Sequence, residues 1–158
     1  MNPLPAAVAR VEAAAEVLGL AISVRLMPDS TRTAAEAAHA CGCDVGQIVK
    51  SLVFQGKATG RPLLLLVSGA NRVNEKGVAV TLGEQLVRPD AHMVRAATGF
   101  AIGGIPPFGH ATPLATWADE DLFQYETVWA AAGTPNAVFS VNPARLRDAV
   151  GAQVIAVK

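Results

Sequence analysis

The sequence predicts a single α+β domain over residues 1–158, built around a mixed β-sheet. First, the chain has 158 residues, of which 51 % are hydrophobic and 16 % charged, and this is typical of one folded domain with its own core. Second, apolar runs of strand length and amphipathic runs of helix length are interspersed, without the regular alternation of a doubly wound parallel sheet. Third, no repeat, low-complexity tract or linker divides the chain.

The first half of the chain predicts two helices, a short turn and three strands. Val8, Val11 and Ala15 recur at helical spacing. Thr33 and Glu36 have the spacing of a capping box, so a second helix is predicted to begin at Thr33. The predicted elements are helices over 5–18 and 33–41, a turn over 44–47, and strands over 21–27, 48–55 and 63–68.

The second half predicts three helices and four strands. Asp90 is a suitable N-cap for a helix that ends at Gly99, and Pro143 suits the first turn of the last helix. The acidic run Asp119–Asp121 fits a helix N-terminus, where carboxylates favour the helix dipole, although paired carboxylates also suit acid–base chemistry. The predicted elements are helices over 74–82, 90–97 and 143–150, and strands over 114–118, 127–131, 137–141 and 154–157.

Charge and terminal composition narrow the classes of function. The 13 Lys and Arg residues balance 13 Asp and Glu residues, so long stretches of nucleic-acid backbone are not the expected ligand, and RNA binding should depend only weakly on salt. This balance still allows a protein that grips only the end of a nucleic acid. The first residues have neither a basic region nor an uninterrupted apolar region, so we do not expect a signal peptide, and no apolar run of this sequence approaches the roughly 18–20 residues that cross a bilayer. We therefore expect a cytoplasmic protein without a membrane partner.

Cys41 and Cys43 are predicted to be reduced structural thiols. A disulfide between such close neighbours would be strained, and a zinc ion would need two further ligands. His39 lies near the pair, but the histidines of the chain form no ligand-like grouping around it. We therefore expect neither a bound metal ion nor a cofactor.

The segment from Gly99 to His110 is the most informative part of the sequence. It contains four glycines and two adjacent prolines among apolar residues. Glycine lets the main chain approach a ligand and adopt positive φ, whereas Pro106 and Pro107 stiffen the end of the segment. This composition suits a rigid loop that offers main-chain N–H groups to a ligand, and it also suits a tight turn between strands. His110 is either an acid–base group or a surface histidine that follows the turn.

Lys50 is the strongest single candidate for a functional side chain. It interrupts an otherwise apolar strand between Val49 and Leu52, and lysine is rarely buried without a partner. In a cleft it would supply a compact positive charge to a phosphate or hydroxyl group. A position on the solvent face is also open, because alternation along this strand is not cleanly amphipathic. The sequence has no G-x-S-x-G, P-loop or Rossmann motif.

Several segments together resemble one known family. They occur in that family's order over nearly the whole chain, and they are Thr33–Ala38, Gln47–Phe54, Thr98–Gly109, Ala132–Asn136 and Asn142–Leu146. The chain is similar to the YbaK family, which is related to the editing domain inserted in bacterial prolyl-tRNA synthetases. The resemblance implies a central mixed, mostly antiparallel sheet flanked by helices. It also implies an aminoacyl-tRNA deacylase that hydrolyses the ester of a mischarged tRNA without a metal ion.

The resemblance also assigns roles to individual residues. Lys50 matches the family's essential lysine beside the terminal adenosine of the tRNA. Gly103 and Gly104 match the catalytic loop that holds the aminoacyl carbonyl. The residues for which we expect a substrate-binding role are Ser51, Phe54, Ile105, Pro106, Ala131 and Gly133.

The resemblance favours a trans-editing enzyme that removes a small amino acid such as alanine, serine or threonine. The cysteine-specific branch of the family carries a serine and an aspartate where this chain has Ala131 and Val138. The expected partners are the acceptor end of a mischarged tRNA and, as a further candidate, an aminoacyl-tRNA synthetase. Two alternatives stay open. One is a non-catalytic module that binds aminoacyl-tRNA ends or a synthetase, and the other is a hydrolase of another small ester or nucleotide conjugate.

Overall fold

A central mixed sheet with helices packed on it forms the fold. The computed structural model describes residues 5–158, in which no helix is long and apolar enough to cross a membrane. The strands are β1 (Val24–Leu26), β2 (Ile48–Gly56), β3 (Pro62–Ser68), β4 (Leu86–Val87), β5 (Ala115–Asp119), β6 (Val128–Ala131), β7 (Ala137–Val141) and β8 (Gln153–Ile155). The helices are α1 (Ala6–Val17), α2 (Ala34–Cys41), α3 (Glu75–Leu82), α4 (Ala91–Thr98) and α5 (Pro143–Val150).

The strands follow the order β1-β7-β6-β2-β3-β5-β8, and β4 pairs with the end of β2. Four of the strand pairings are antiparallel and three are parallel. The predicted mixed sheet with mainly antiparallel pairing is therefore confirmed. The parallel pairings join strands that are distant in sequence, as they must, because a tight turn can connect only antiparallel neighbours.

The central strand β3 is buried on both faces, which explains its uninterrupted apolar sequence. Leu64 and Leu66 belong to the main core, together with side chains of α1. Leu63, Leu65 and Val67 point to the opposite face and form a second core with a side chain of α3. The sheet therefore separates two apolar layers.

The predicted helix caps are present. The Thr33 hydroxyl accepts the N–H of Glu36 at 3.1 Å, and the Glu36 carboxylate accepts the N–H of Thr33 at 3.2 Å, which completes the capping box of α2. The carboxylate of Asp90 accepts the N–H of Met93 at the start of α4. Pro143 occupies the first turn of α5. Local sequence therefore determines where these helices begin.

Three strands differ from the prediction. The strand predicted over 21–27 is shortened to β1, because only its three residues pair with β7. The strand predicted over 154–157 begins and ends earlier, as β8. Val157 lies beyond β8 and is buried, and its carbonyl accepts the N–H of Asn74 at 2.7 Å. The two-residue strand β4 was not predicted, because so short a segment carries no periodic signal.

The sheet has an opening along β2 that positions the candidate site. β3 pairs with one edge of β2 over seven residues. On the other edge, β6 reaches only the first two residues of β2 and β4 only the last two. Residues 50–54 therefore have an edge that no strand of the described chain covers. Ile102 and Ile105, from the segment after α4, line the cleft at this edge.

Candidate active site

Lys50 lies in the middle of β2 and lines the cleft at the open edge. Its side chain is half-buried, and its ammonium group donates a 2.5 Å hydrogen bond to the main-chain carbonyl of Asn71. Burial lowers the pKa of Lys50, the Asp119 carboxylate opposes this effect, and the positive charge of Arg72 adds to it. The structure therefore places a partly desolvated cation in the cleft, not on an exposed face of the sheet.

A buried carboxylate fixes the segment that contacts Lys50. Asp119, at the end of β5, is only 1 % exposed. It accepts hydrogen bonds from the N–H of Ser68 at 3.0 Å, the side-chain amide of Asn71 at 2.8 Å and the N–H of Asp121 at 2.9 Å. The Asn71 amide also donates to Asp121 at 2.8 Å. Asn71 is therefore held by two carboxylates while its carbonyl accepts the ammonium group of Lys50.

The capping role predicted for the acidic run is confirmed. Asp119 caps the short 3-10 helix Glu120–Gln124 through the N–H of Asp121. Its additional bonds to Ser68 and Asn71 were not predicted, because the partners are 51 and 48 residues away in the sequence. The capping role of Asp119 could be predicted because it depends on neighbouring residues. Its contribution to the site depends on residues that are distant in the sequence.

The cleft has two adjoining compartments that share Lys50, Ser51 and Ile105. The first has a volume of about 280 Å³, and Gly103 and Ala131 are also in its walls. The second has a volume of about 690 Å³ and extends along β2 to Phe54. The structure therefore brings six of the predicted site residues, from three separate segments, to one cleft.

The first half of the glycine-rich loop presents main-chain donors near this cleft. Gly103 has a φ of +102°, and a Cβ atom there would lie 2.9 Å from the Arg32 Nε atom. Within residues 5–158, the N–H groups of Gly103 and Ile105 have no hydrogen-bond partner. The N–H of Gly104 instead donates to the Ala101 carbonyl at 3.2 Å. Of the three successive N–H groups of residues 103–105, only that of Gly104 is therefore paired within the described chain.

Three other predicted site residues are Gly104 and Pro106, within the loop, and Gly133, which contacts it. The Gly104 carbonyl accepts the N–H of Gly133 at 2.9 Å, and a Cβ atom on Gly104 would lie 2.8 Å from the main chain of Thr134. The Pro106 carbonyl is 2.7 Å from Nε2 of His110. Gly104, Pro106 and Gly133 do not line either compartment. The main-chain contacts of these three residues hold the loop against its neighbours.

His110 and the two cysteines lie outside the cleft. Burial lowers the pKa of His110, and its bond to the Pro106 carbonyl opposes this shift. Cys41 and Cys43 are free thiols, as predicted. Burial, with a smaller effect of Cys43, raises the pKa of Cys41 to about 11, so this thiol is a poor nucleophile at neutral pH. Residues 5–158 contain no group of three His, Cys, Asp or Glu side chains suited to a metal ion.

Three arginines at the cleft were not predicted from the sequence. Arg32 lines the first compartment, and Arg72 and Arg88 line the second. Arg88 pairs with Glu75 at 3.1 Å, the one acidic side chain in these walls. With Lys50, the arginines make the cleft cationic although the whole chain is neutral. The three arginines are far apart in the sequence, so they form no motif or charge cluster from which a site could be predicted.

Comparison with known proteins identifies the family. The sequence profile of the aminoacyl-tRNA editing domain matches residues 28–149, so the chain belongs to this family. The uncharacterised protein YwhH of Bacillus subtilis (strain 168) is 29 % identical over 119 residues, which cover 75 % of each chain. A proline–tRNA ligase of Limosilactobacillus fermentum is 34 % identical over 94 residues, which cover 57 % of this chain but 16 % of the ligase. The family resemblance inferred from the sequence is confirmed.

Solved structures share the fold over almost the whole chain. A protein proposed to be a trans-editing enzyme for prolyl-tRNA synthetase is 48 % identical, with a TM-score of 0.93 over 99 % of both chains. The hypothetical protein APE2540 is 30 % identical, with a TM-score of 0.86 over 94 % of this chain and 98 % of that protein. The mixed α/β architecture predicted from the sequence is therefore that of its structural neighbours.

Proposed function

We propose that this protein is a trans-editing aminoacyl-tRNA deacylase that acts on tRNA mischarged with a small amino acid such as alanine, serine or threonine. The observation that carries this proposal is that Lys50 lines the same cleft as Gly103 and Ile105, whose N–H groups have no partner among the described residues. Membership of the editing-domain family and the similarity to a proposed trans-editing enzyme support it.

The reaction is hydrolysis of the ester that joins the amino acid to the terminal ribose. A water oxygen bonds to the carbonyl carbon, the bond from that carbon to the ribose oxygen breaks, and the ribose oxygen takes up a proton. The N–H groups of Gly103 and Ile105 stabilise the oxyanion that forms on the way, and one such donor contributes about 3 kcal/mol, or a hundredfold or more in rate. Lys50 holds the nucleotide end, and the 2′-hydroxyl of the tRNA relays the proton.

The dimensions of the first compartment support the proposed selectivity for a small amino acid. Ala131, Ile105 and Ala37 are among its walls, and its volume of about 280 Å³ is less than half that of its neighbour. One methylene group in an apolar pocket changes binding by only about 1–3 kcal/mol, so a synthetase needs a second site to reject near-isosteres. We assign the amino acid to the first compartment and the terminal nucleotide to the larger, cationic one, with cysteine a poorer substrate.

The partner is the acceptor end of a mischarged tRNA. The cationic cleft suits the phosphates near that end, whereas the neutral chain as a whole does not suit long stretches of RNA. Similarity to part of a proline–tRNA ligase supports an association with prolyl-tRNA synthesis, and a synthetase is a second partner in this proposal. Such a role belongs in the cytoplasm and involves no membrane.

Deacylation of a panel of Ala-, Ser-, Thr- and Cys-tRNA tests the proposal. We expect hydrolysis of at least one of the first three, and a loss of roughly a hundredfold or more in kcat/KM for Lys50→Ala. Lys57→Ala, an exposed lysine just beyond β2, is the matched control and should keep full activity. Near-full activity of Lys50→Ala would remove the central residue from this scheme. Binding of aminoacyl-tRNA without any hydrolysis would instead identify a non-catalytic module.

A further inference from the structure

The opening in the sheet leaves main-chain groups of β2 without strand partners in the part of the chain that the structure describes. The Gly56 N–H donates to the Arg61 carbonyl at 3.0 Å, and the Ile48 carbonyl accepts an N–H at 2.7 Å from the residue that follows β3. Even-numbered residues of β2 therefore direct their main-chain groups towards β3. Because this direction alternates along a strand, Ser51 and Val53 direct theirs towards the open edge, where neither β6 nor β4 reaches.

Ser51 adds a side-chain group to the same place. Its hydroxyl oxygen is buried and has no hydrogen-bond partner in the described chain. Ser51 also lines both compartments, at the point where they meet. Buried polar groups are almost always paired in folded proteins. An unpaired hydroxyl beside an unpaired strand edge therefore indicates a ligand that supplies partners for both.

We propose that the open edge at Ser51 binds the aminoacyl group of the substrate as a one-residue addition to β2, and so recognises its free α-amino group. This inference rests on the proposed function, because the ligand is the aminoacyl ester. Such an ester carries the N–Cα–C=O unit of a peptide residue, and that unit can pair with a strand edge in the manner of β-strand addition. The Ser51 carbonyl accepts the α-amino N–H, and the Ser51 N–H donates to the ester carbonyl.

This arrangement combines with the loop donors on the other side of the cleft. A carbonyl oxygen has two lone pairs, so the ester carbonyl can accept from Ser51 on one side and from Gly103 or Ile105 on the other. Pairing through the main chain is independent of the amino acid's side chain. The edge therefore reads the α-amino group, while the walls of the first compartment select the size of the side chain.

The test uses three tRNA esters that differ only at the α-position. For alanine these are alanyl-, lactyl- and N-acetylalanyl-tRNA, and seryl-tRNA with its counterparts replaces them if the panel favours serine. Each kcat/KM is divided by the rate of non-enzymatic hydrolysis of the same ester. We expect a loss of roughly tenfold for the lactyl ester, because its hydroxyl is an uncharged donor and a charged amino group makes the stronger hydrogen bond. We expect a loss of roughly a hundredfold or more for the N-acetyl ester, because its amide is also uncharged and its acetyl group adds bulk beside the strand edge.

The outcomes separate this inference from the proposed function. Equal normalised rates for the three esters overturn the recognition of the α-amino group and leave the deacylase in place. Absence of hydrolysis for every free aminoacyl ester in the panel overturns the deacylase and this inference with it.

Ser51→Ala distinguishes the main chain from the hydroxyl. The substitution removes the side-chain oxygen but keeps the edge groups of β2, so all three esters should be hydrolysed more slowly and in the same order. Equal normalised rates for the three esters in this variant would mean that the hydroxyl alone recognises the α-amino group. That result would overturn the assignment to the strand edge. Thermal unfolding of the variant confirms that it is folded before the rates are compared.

Discussion

The two halves of the segment from Gly99 to His110, residues 99–105 and 106–110, both combine glycine with apolar residues but differ in their contacts. In the first half, Gly103 and Ile105 line the cleft, and their N–H groups have no hydrogen-bond partner among residues 5–158. In the second half, Phe108 packs against Phe139 with ring centroids 5.6 Å apart, and the His110 ring bonds to a carbonyl within the segment. Glycine and proline therefore mark a constrained segment, but the pairing of its main-chain groups decides which part can bind a ligand.

Matched substitutions of two glycines test this contrast with the largest expected effect. Gly103 and Gly109 both have positive φ, +102° and +79°, so Gly103→Ala and Gly109→Ala should each destabilise the fold by about 1–2 kcal/mol. Only Gly103→Ala should lower deacylation, on the order of a hundredfold, because it displaces the loop donors. Urea unfolding and kcat/KM measure the two effects separately. Equal losses of activity in both variants would break the contrast between the halves.

Substitution of Asp119, the buried carboxylate that holds Asn71 beside Lys50, should have an intermediate effect on activity. Asp119→Asn weakens three hydrogen bonds to a charged acceptor, so we expect a destabilisation of about 2 kcal/mol. It should also lower kcat/KM on the order of tenfold, because the Asn71 carbonyl no longer positions Lys50. Glu120→Gln, an exposed neighbouring carboxylate, is the control. Full activity of a destabilised Asp119→Asn would show that the network supports only the fold.

The smallest effect is expected for His110, in the second half of the segment. Burial lowers its pKa, so the folded state disfavours the imidazolium form and loses stability as the pH falls below the ordinary histidine value of about 6.5. His110→Gln should lack this part of the pH dependence and keep its activity. Free energies of unfolding of the two proteins, measured from about pH 5 to pH 8, provide the comparison. The exposed His92→Gln is the control, and parallel curves for wild type and His110→Gln would contradict the expectation.

Much of the fold was predictable because its causes are local. The capping box of Thr33 and Glu36 determines the start of α2, and Pro143 determines the start of α5. The apolar run in β3 identifies a strand that is buried on both faces. Lys50 and the glycine-rich segment were identifiable as site candidates because each is unusual among its own neighbours in the sequence. A window of a few residues contains all of these signals.

The sequence by itself thus determined the family, most helices and strands, and the two main parts of the candidate site. Only the tertiary structure decided which groups meet. It brought Asp119 to Asn71, assigned His110 to the back of the loop, and left the edge of β2 at Ser51 open between β6 and β4. The physical reason is that these contacts depend on the register and ends of strands far apart in the chain. Short-range propensity carries no information about where such strands stop pairing.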